Sequence, residues 1–444
     1  MNQAFVQRLL ARMVALRPGE GRALGWSFAY FFCLLAGYYV LRPLRDEMGI
    51  AGGVRNLQWL FTATFAAMLI AVPVFGAMVA RLPRARFIPL IYHFFVANIV
   101  VFWLLLTFDL GKVQVARVFF VWISIFNLFA VSVFWSFMSD LYSSEQGKRL
   151  FGFVAAGGSA GALLGPALTV GLAAQLGPVN LLIIAALFLE FAVLCVCRLE
   201  SASAPGATAP LKPATKGLSS PALRAQSEGD ALGGGWLTGI AMVLRSPYLA
   251  GIALWVSLLS LAGTFLYFQQ ANIVAAASDD PAVRTRIFAT IDLAIGLLTI
   301  IVQIVATGRL ISRFGVGRAA ALLPLVFALG FLMLAFSPML LVVIVFQAIQ
   351  RTANFAVSNP AREVLFTVVE RDEKYKAKNV IDIVVFRGAD ALSGWMFAAL
   401  RGAGMELSTI SLATVPVTGA WLVLALALGR AQERRAEARG AVRA

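Results

Sequence analysis

The sequence predicts an all-α polytopic membrane protein, with twelve transmembrane helices in two six-helix halves. Three observations lead there. Of the 444 residues, 60% are hydrophobic and only 13% charged, whereas a soluble domain holds about half apolar and about a quarter charged residues. The apolar residues come in blocks of roughly 20, the helix length that crosses a hydrocarbon core of about 30 Å. One long polar stretch, residues 200–235, is rich in Ala, Ser, Pro and Gly and reads as a flexible cytosolic linker between six blocks and six more.

The net charge of +15 would suit a nucleic-acid partner, but its placement argues for topology instead. Most Lys and Arg residues fall in the tails and in the loops after even-numbered spans, the positive-inside bias of a chain with both ends in the cytoplasm. The expected location is therefore a bacterial inner membrane, with arginine far outnumbering lysine as in GC-rich genomes. The expected partners are the lipid bilayer and a small solute, with no nucleic acid, and the chain is expected to be a monomer. Cys33, Cys195 and Cys197 lie in apolar spans without metal or disulfide spacing. No metal, cofactor or catalytic residue is expected, and no nucleophile and base sit at a spacing that suggests an enzyme.

Taken in order, the first 22 residues alternate Arg with apolar residues and read as a short interfacial cytosolic helix. Spans then centre near Phe32, Met68, Ala97, Phe126, Ala162 and Ala186, and after the linker near Leu258, Thr299, Phe327, Val345, Gly388 and Val417. Residues 236–245 form a short helix leading into the seventh span. The expected organisation is thus an N-terminal half over 1–199, the linker 200–235, a C-terminal half over 236–430 and a basic cytosolic tail over 431–444.

The loops after the second and eighth spans share a spacing. Gly76, Arg81 and Arg86 stand in one, Gly308, Arg313 and Arg318 in the other. Both resemble the Gly- and Arg-rich turn of major facilitator transporters, which implies parallel halves around a midplane site and alternating access. Arg81 and Arg313 are accordingly candidates for a cytoplasmic gate. The segment from Phe134 to Phe153 adds Asp140, Lys148 and Arg149 to that candidate set, with a solvated turn as the plainer reading.

Polar residues inside apolar spans are the other signal, because an ionisable group in hydrocarbon is costly and usually faces a wet cavity. The first span ends in Arg42, Arg45, Asp46 and Glu47, with Pro43 expected to bend or interrupt it. Its arginines could donate forked hydrogen bonds to an anion, or simply mark a helix end. Gly157, Gly161 and Gly165 stand four apart, a helix-packing face rather than a phosphate loop. Isolated polar groups in apolar spans are His93, Asn98, Asn127, Gln303 and Gln347, of which His93, near a membrane end, reads as a satisfied interfacial histidine. Glu190 and Asp292 are sharper, since a buried carboxylate must be paired, protonated or wet.

The richest stretch runs from Arg351 to Gly394. Asn354, Asn359 and Arg362 fall on related faces of the tenth span, beside Glu363, and a basic loop leads to Asp382, Arg387 and Asp390 on the eleventh. Arg387 and Asp390 are close enough to pair. Either these charges tie two helices together, or they form a cationic pocket whose acids orient the arginines.

Together these residues resemble the ATP/ADP translocase family. Tyr38, Leu41, Arg42, Arg45 and Asp46 follow its first-helix order, and Asn359, Pro360, Arg362 and Glu363 its tenth-helix motif. Lys374, Lys376 and Lys378 lead to Ile381, Asp382, Ile383 and Val384 as its lysine run does, and Phe134 and Trp135 match its fourth-helix pair. The chain has Arg45 and Arg362 where the family has lysine, Asn359 where it has aspartate, and Asp390 near a family lysine. The resemblance implies a secondary transporter for an anionic nucleotide, ATP or ADP, or another anionic metabolite. Arg42, Arg45, Asn127, Asn359, Arg362 and Arg387 would then bind substrate, and Asp46, Asp292, Glu363, Asp382 and Asp390 would pair with charge or carry protons. The alternative is a proton-coupled carrier of a drug or organic cation.

Overall fold

The computed structural model describes residues 17, 20–81, 84–202, 236–305, 307–370 and 376–443. Among these described residues, twelve helices are long and apolar enough to cross a membrane. They are α1 (Gly21–Ala51), α2 (Leu57–Arg81), α3 (Arg84–Thr107), α4 (Lys112–Leu141), α5 (Ser144–Leu176) and α6 (Leu181–Ala202). A short helix at Trp236–Arg245 precedes α7 (Pro247–Ala277), α8 (Pro281–Val305) and α9 (Thr307–Phe336). α10 begins at Leu340–Ala353, passes through a π turn at Asn354–Ser358 and resumes at Asn359–Leu365. α11 contains a π turn at Val380–Val385 and continues as Phe386–Gly402, and α12 is Leu407–Arg443. Most of the N-terminal 22 residues and of the linker lie outside the described residues.

The chain folds as two compact units. The first comprises Met1–Gly52, Ala66–Glu228 and Asp280–Thr290, the second Gly53–Phe65, Gly229–Asp279 and Ile291–Ala444. In the first, α1 is the central element. It runs through Pro43 as one continuous helix, so the expected interruption does not occur: neighbouring helices hold its apolar flanks in place. α5 lies against it through the predicted glycine face. A Cβ at Gly161 would stand 2.3 Å from the Phe32 carbonyl and one at Gly157 2.5 Å from that of Phe28, so any side chain there would force the helices apart. Phe31 stacks on Phe134 at 4.0 Å.

The second unit packs around buried Trp255 and Trp421, whose rings lie 5.7 Å apart, with Phe327 against Trp421 at 5.6 Å. The first residues of α2 belong here: Trp59 meets Trp395 edge-on at 4.7 Å, and Trp395 donates to the Thr62 hydroxyl. Gly315 takes φ 77° inside α9, a left-handed conformation open to glycine, and turns the chain into its apolar segment.

Candidate functional site

In the first unit, the end of α1 carries Arg42 half-buried over the Tyr39 ring at 5.5 Å. Arg45 covers the Phe120 ring at 4.2 Å and approaches its neighbour Asp46 only to 3.5 Å. Glu47, 2% exposed, is gripped by Arg284 of α8 at 2.7 Å. Asn127 lies half-buried on α4. Of the expected gate residues, Asp140 is buried, Lys148 is exposed, and Arg149 donates to Glu20 through Nη2 at 2.9 Å and Nη1 at 3.2 Å. Gln146 and the Arg17 amide also donate to Glu20. Burial opposes ionisation of that carboxyl, yet these donors outweigh it and hold its pKa below the usual value. The side chains of Arg81 and Arg313 lie outside the described residues.

In the second unit, four ion pairs lie on α8, α10 and α11 among the described residues. Asp292, 2% exposed at its side chain, pairs with Arg351 at 3.0 Å, which supplies the partner that a buried carboxylate requires. Lys378 donates to both oxygens of Glu363, at 2.6 and 2.7 Å. Arg362 reaches Asp382 at 3.4 Å, and Arg387 reaches Asp390 at 3.5 Å. Arg362 Nε and Asp382 Oδ1 make no hydrogen bond among the described residues, so that contact is charge proximity without a seated donor. Asn359 begins the helical segment just after the first π turn, half-buried. Asp382 lies inside the second π turn. Such widened turns cluster at functional sites because they re-aim side chains within a helix.

Tight and loose pairs therefore separate. Arg284, Arg351 and Lys378 hold carboxylates at 2.6–3.0 Å, whereas Arg45, Arg362 and Arg387 stand 3.4–3.5 Å from theirs. The loose set is drawn from the arginines that the sequence nominates for an anion. Glu190 also has a neighbour, His93 at 3.5 Å, on half-exposed faces of α6 and α3.

Several partners were not legible in sequence. Glu20 and Arg284 stand at helix starts, where charge is commonplace. Ser260 and Thr264 both donate to Asp390 Oδ1, the latter at 3.1 Å. Gln347 donates to Gln270 and accepts from Gln350 at 2.9 Å, so it is one of three linked glutamines, two on α10 and one on α7. The only advance signal was the spacing of four between Ser260 and Thr264, which places them on one helix face.

Residues 23–361 match the Major Facilitator Superfamily, and the chain belongs to that family of secondary transporters. No curated protein sequence matches it. Among solved structures it is similar to a POT family transporter in complex with a thioalcohol-conjugated peptide, at a TM-score of 0.60 and 13% identity over 93% of this chain and 96% of that one. The nucleoside transporter NupG aligns at 0.59 and 12% over 93% and 98%. A POT peptide transporter in complex with alafosfalin aligns at 0.60 and 15% over 96% and 98%. These likenesses concern the fold.

Proposed function

We propose that the chain is a bacterial inner-membrane secondary transporter that carries an anionic metabolite by alternating access, with a nucleotide as the class its sequence resemblance implies. The observation that supports this most is the separation of tight from loose pairs. A donor held at 3.4–3.5 Å, as at Arg45, Arg362 and Arg387, loses little when a substrate oxyanion takes the place of its carboxylate. One held at 2.6–3.0 Å, as at Arg284, Arg351 and Lys378, surrenders a full charge-assisted hydrogen bond. The loosely held arginines would bind oxyanions, with Arg42 beside Arg45 on α1 and Asn127 and Asn359 contributing neutral hydrogen bonds. The tight pairs of Glu47 and Asp292 neutralise carboxylates that the helices bury, while that of Glu363 lies at an exposed position.

A second reading has its own support. Arg45, Arg362 and Arg387 each have an acidic neighbour, as they would in a proton-coupled carrier of a drug or organic cation, where protonation of Asp46, Asp382 or Asp390 opens the pair. Proteoliposomes separate the two. Labelled ATP entering vesicles preloaded with ADP, but not empty ones, and lost in Arg362→Ala and Arg387→Ala, is the result expected for the anion carrier. Absence of such uptake, with a pH gradient driving a labelled organic cation instead, would replace it with the second reading.

A further inference from the structure

We infer that α3 and α6 form a contact surface for a second copy of this chain, organised around His93 and Glu190. Neither residue lies at a membrane end. At about 1.5 Å of rise per residue, His93 is about 9 Å into the span Phe87–Thr107 and Glu190 about 14 Å into the span Leu181–Ser201. The two side chains are nonetheless 56% and 42% exposed. Ionisable groups in spanning helices almost always face a bundle interior or a water-filled cavity. Here the surrounding surface is apolar and exposed, with Leu90 and Phe94 on α3 and Leu187 and Phe191 on α6. Such a surface meets hydrocarbon, which is the wrong medium for this pair.

The pair does not satisfy itself. His93 Nδ1 lies 2.7 Å from the Pro89 carbonyl, which can only accept, so that nitrogen carries the proton and Nε2 faces Glu190. Nε2 stands 3.5 Å from one carboxylate oxygen, and Glu190 makes no hydrogen bond among the described residues. A carboxylate offers about four lone-pair sites. Hydrocarbon supplies no donor to any of them.

A second copy supplies what is missing. Two copies share one orientation in the membrane, so a twofold axis along the membrane normal sets α3 of each against α6 of the other at matched depth. His93 then meets the partner's Glu190, and Glu190 meets the partner's His93. The four groups close a ring in which each carboxylate lies between two imidazoles. A donor and an acceptor side by side make this face its own complement, whereas an unrelated helix would have to carry both groups at the same spacing. Ala97, exposed one turn beyond His93, leaves room for the backbones to approach. The result is a dimer in place of the monomer expected from the sequence, and it holds whichever solute the protein carries.

The test uses full-length protein in donor-labelled and acceptor-labelled pools, reconstituted together in liposomes over a range of protein-to-lipid ratios. Energy transfer that saturates, and that persists on dilution with lipid, is expected. His93→Leu and Glu190→Leu should each raise the half-pairing ratio at least about tenfold, because each removes both polar contacts across the axis. Leucine suits a face surrounded by hydrocarbon, so both variants should stay folded, checked by a single monodisperse peak in detergent. The exchange His93→Glu with Glu190→His should restore pairing, an outcome that damage to the fold would not produce. Transfer at the level of random proximity at every ratio would overturn the dimer. So would pairing that both leucine variants leave intact, or single losses that the exchange does not repair. Monomers that instead co-purify with another membrane protein at fixed stoichiometry, lost in Glu190→Leu, would give the face to that partner and overturn the second copy.

Discussion

The end of α1 and the α10–α11 segment both place arginines and carboxylates in apolar helices, but they compensate the charge differently. On α1 the acid beside Arg45 is its sequence neighbour Asp46, and Glu47 depends on a distant partner, Arg284. On α10 and α11 most of the compensation is between helices: Arg351 meets Asp292 59 residues away and Glu363 meets Lys378 15 away, while Arg387 and Asp390 pair three apart on one helix. The helix geometry differs as well. α1 stays α-helical through Pro43, while α10 and α11 each contain a π turn beside their charges. Neighbouring charges such as Arg45 and Asp46 tie a segment to nothing else, whereas pairs distant in sequence, Glu47 with Arg284 as well as Asp292 with Arg351, fix helices to one another.

Substitutions can break or sharpen this contrast. The largest effect is expected for Arg351→Ala, which leaves Asp292 charged and buried, at a cost of about 3–5 kcal/mol read from thermal unfolding. The double substitution Asp292→Asn with Arg351→Gln should recover much of that loss. Equal damage in single and double variants would show that the pair itself is not what matters. Glu47→Gln should cost roughly 2 kcal/mol, as a charge-assisted hydrogen bond to Arg284 becomes a neutral one, and a value near zero would make α1 locally compensated throughout.

A smaller stability effect with a larger functional one is expected at the loose pairs. Arg387→Ala should lower the apparent affinity for an anionic substrate by roughly tenfold, about 1.4 kcal/mol, while Tm changes little. A large fall in Tm would move Arg387 into the structural group. Glu20 gives a pH signature. Because its folded pKa is lowered, its contribution is full above the ordinary carboxylate range and is lost as pH falls through the lowered value. Acid unfolding should therefore steepen in that range for the parent protein and flatten in Glu20→Gln. Least of all, Lys378→Ala should cost under about 1 kcal/mol, since Glu363 is 51% exposed and solvent replaces the partner.

Sequence legibility followed the same division. The spans, the glycine face of α5 and the pairing of Arg387 with Asp390 depend on local spacing, so they could be read directly. Pro43 was read for a bend or an interruption, and the helix continues through it uninterrupted. The partners of Asp292 and Glu190, and the Ser260–Thr264–Asp390 contact, could not be read, because each joins helices whose order in space the sequence does not state.

What the sequence alone determined is the class of environment. Its apolar blocks commit the chain to twelve spanning helices, and its buried charges demand partners, because hydrocarbon solvates neither backbone dipoles nor ions. Tertiary structure alone decided which carboxylate each arginine meets and at what distance. Those distances depend on helix rotation, on two π turns and on close helix approach at glycine. A difference of about half an ångström separates the closely held Arg351 from the more loosely held Arg387.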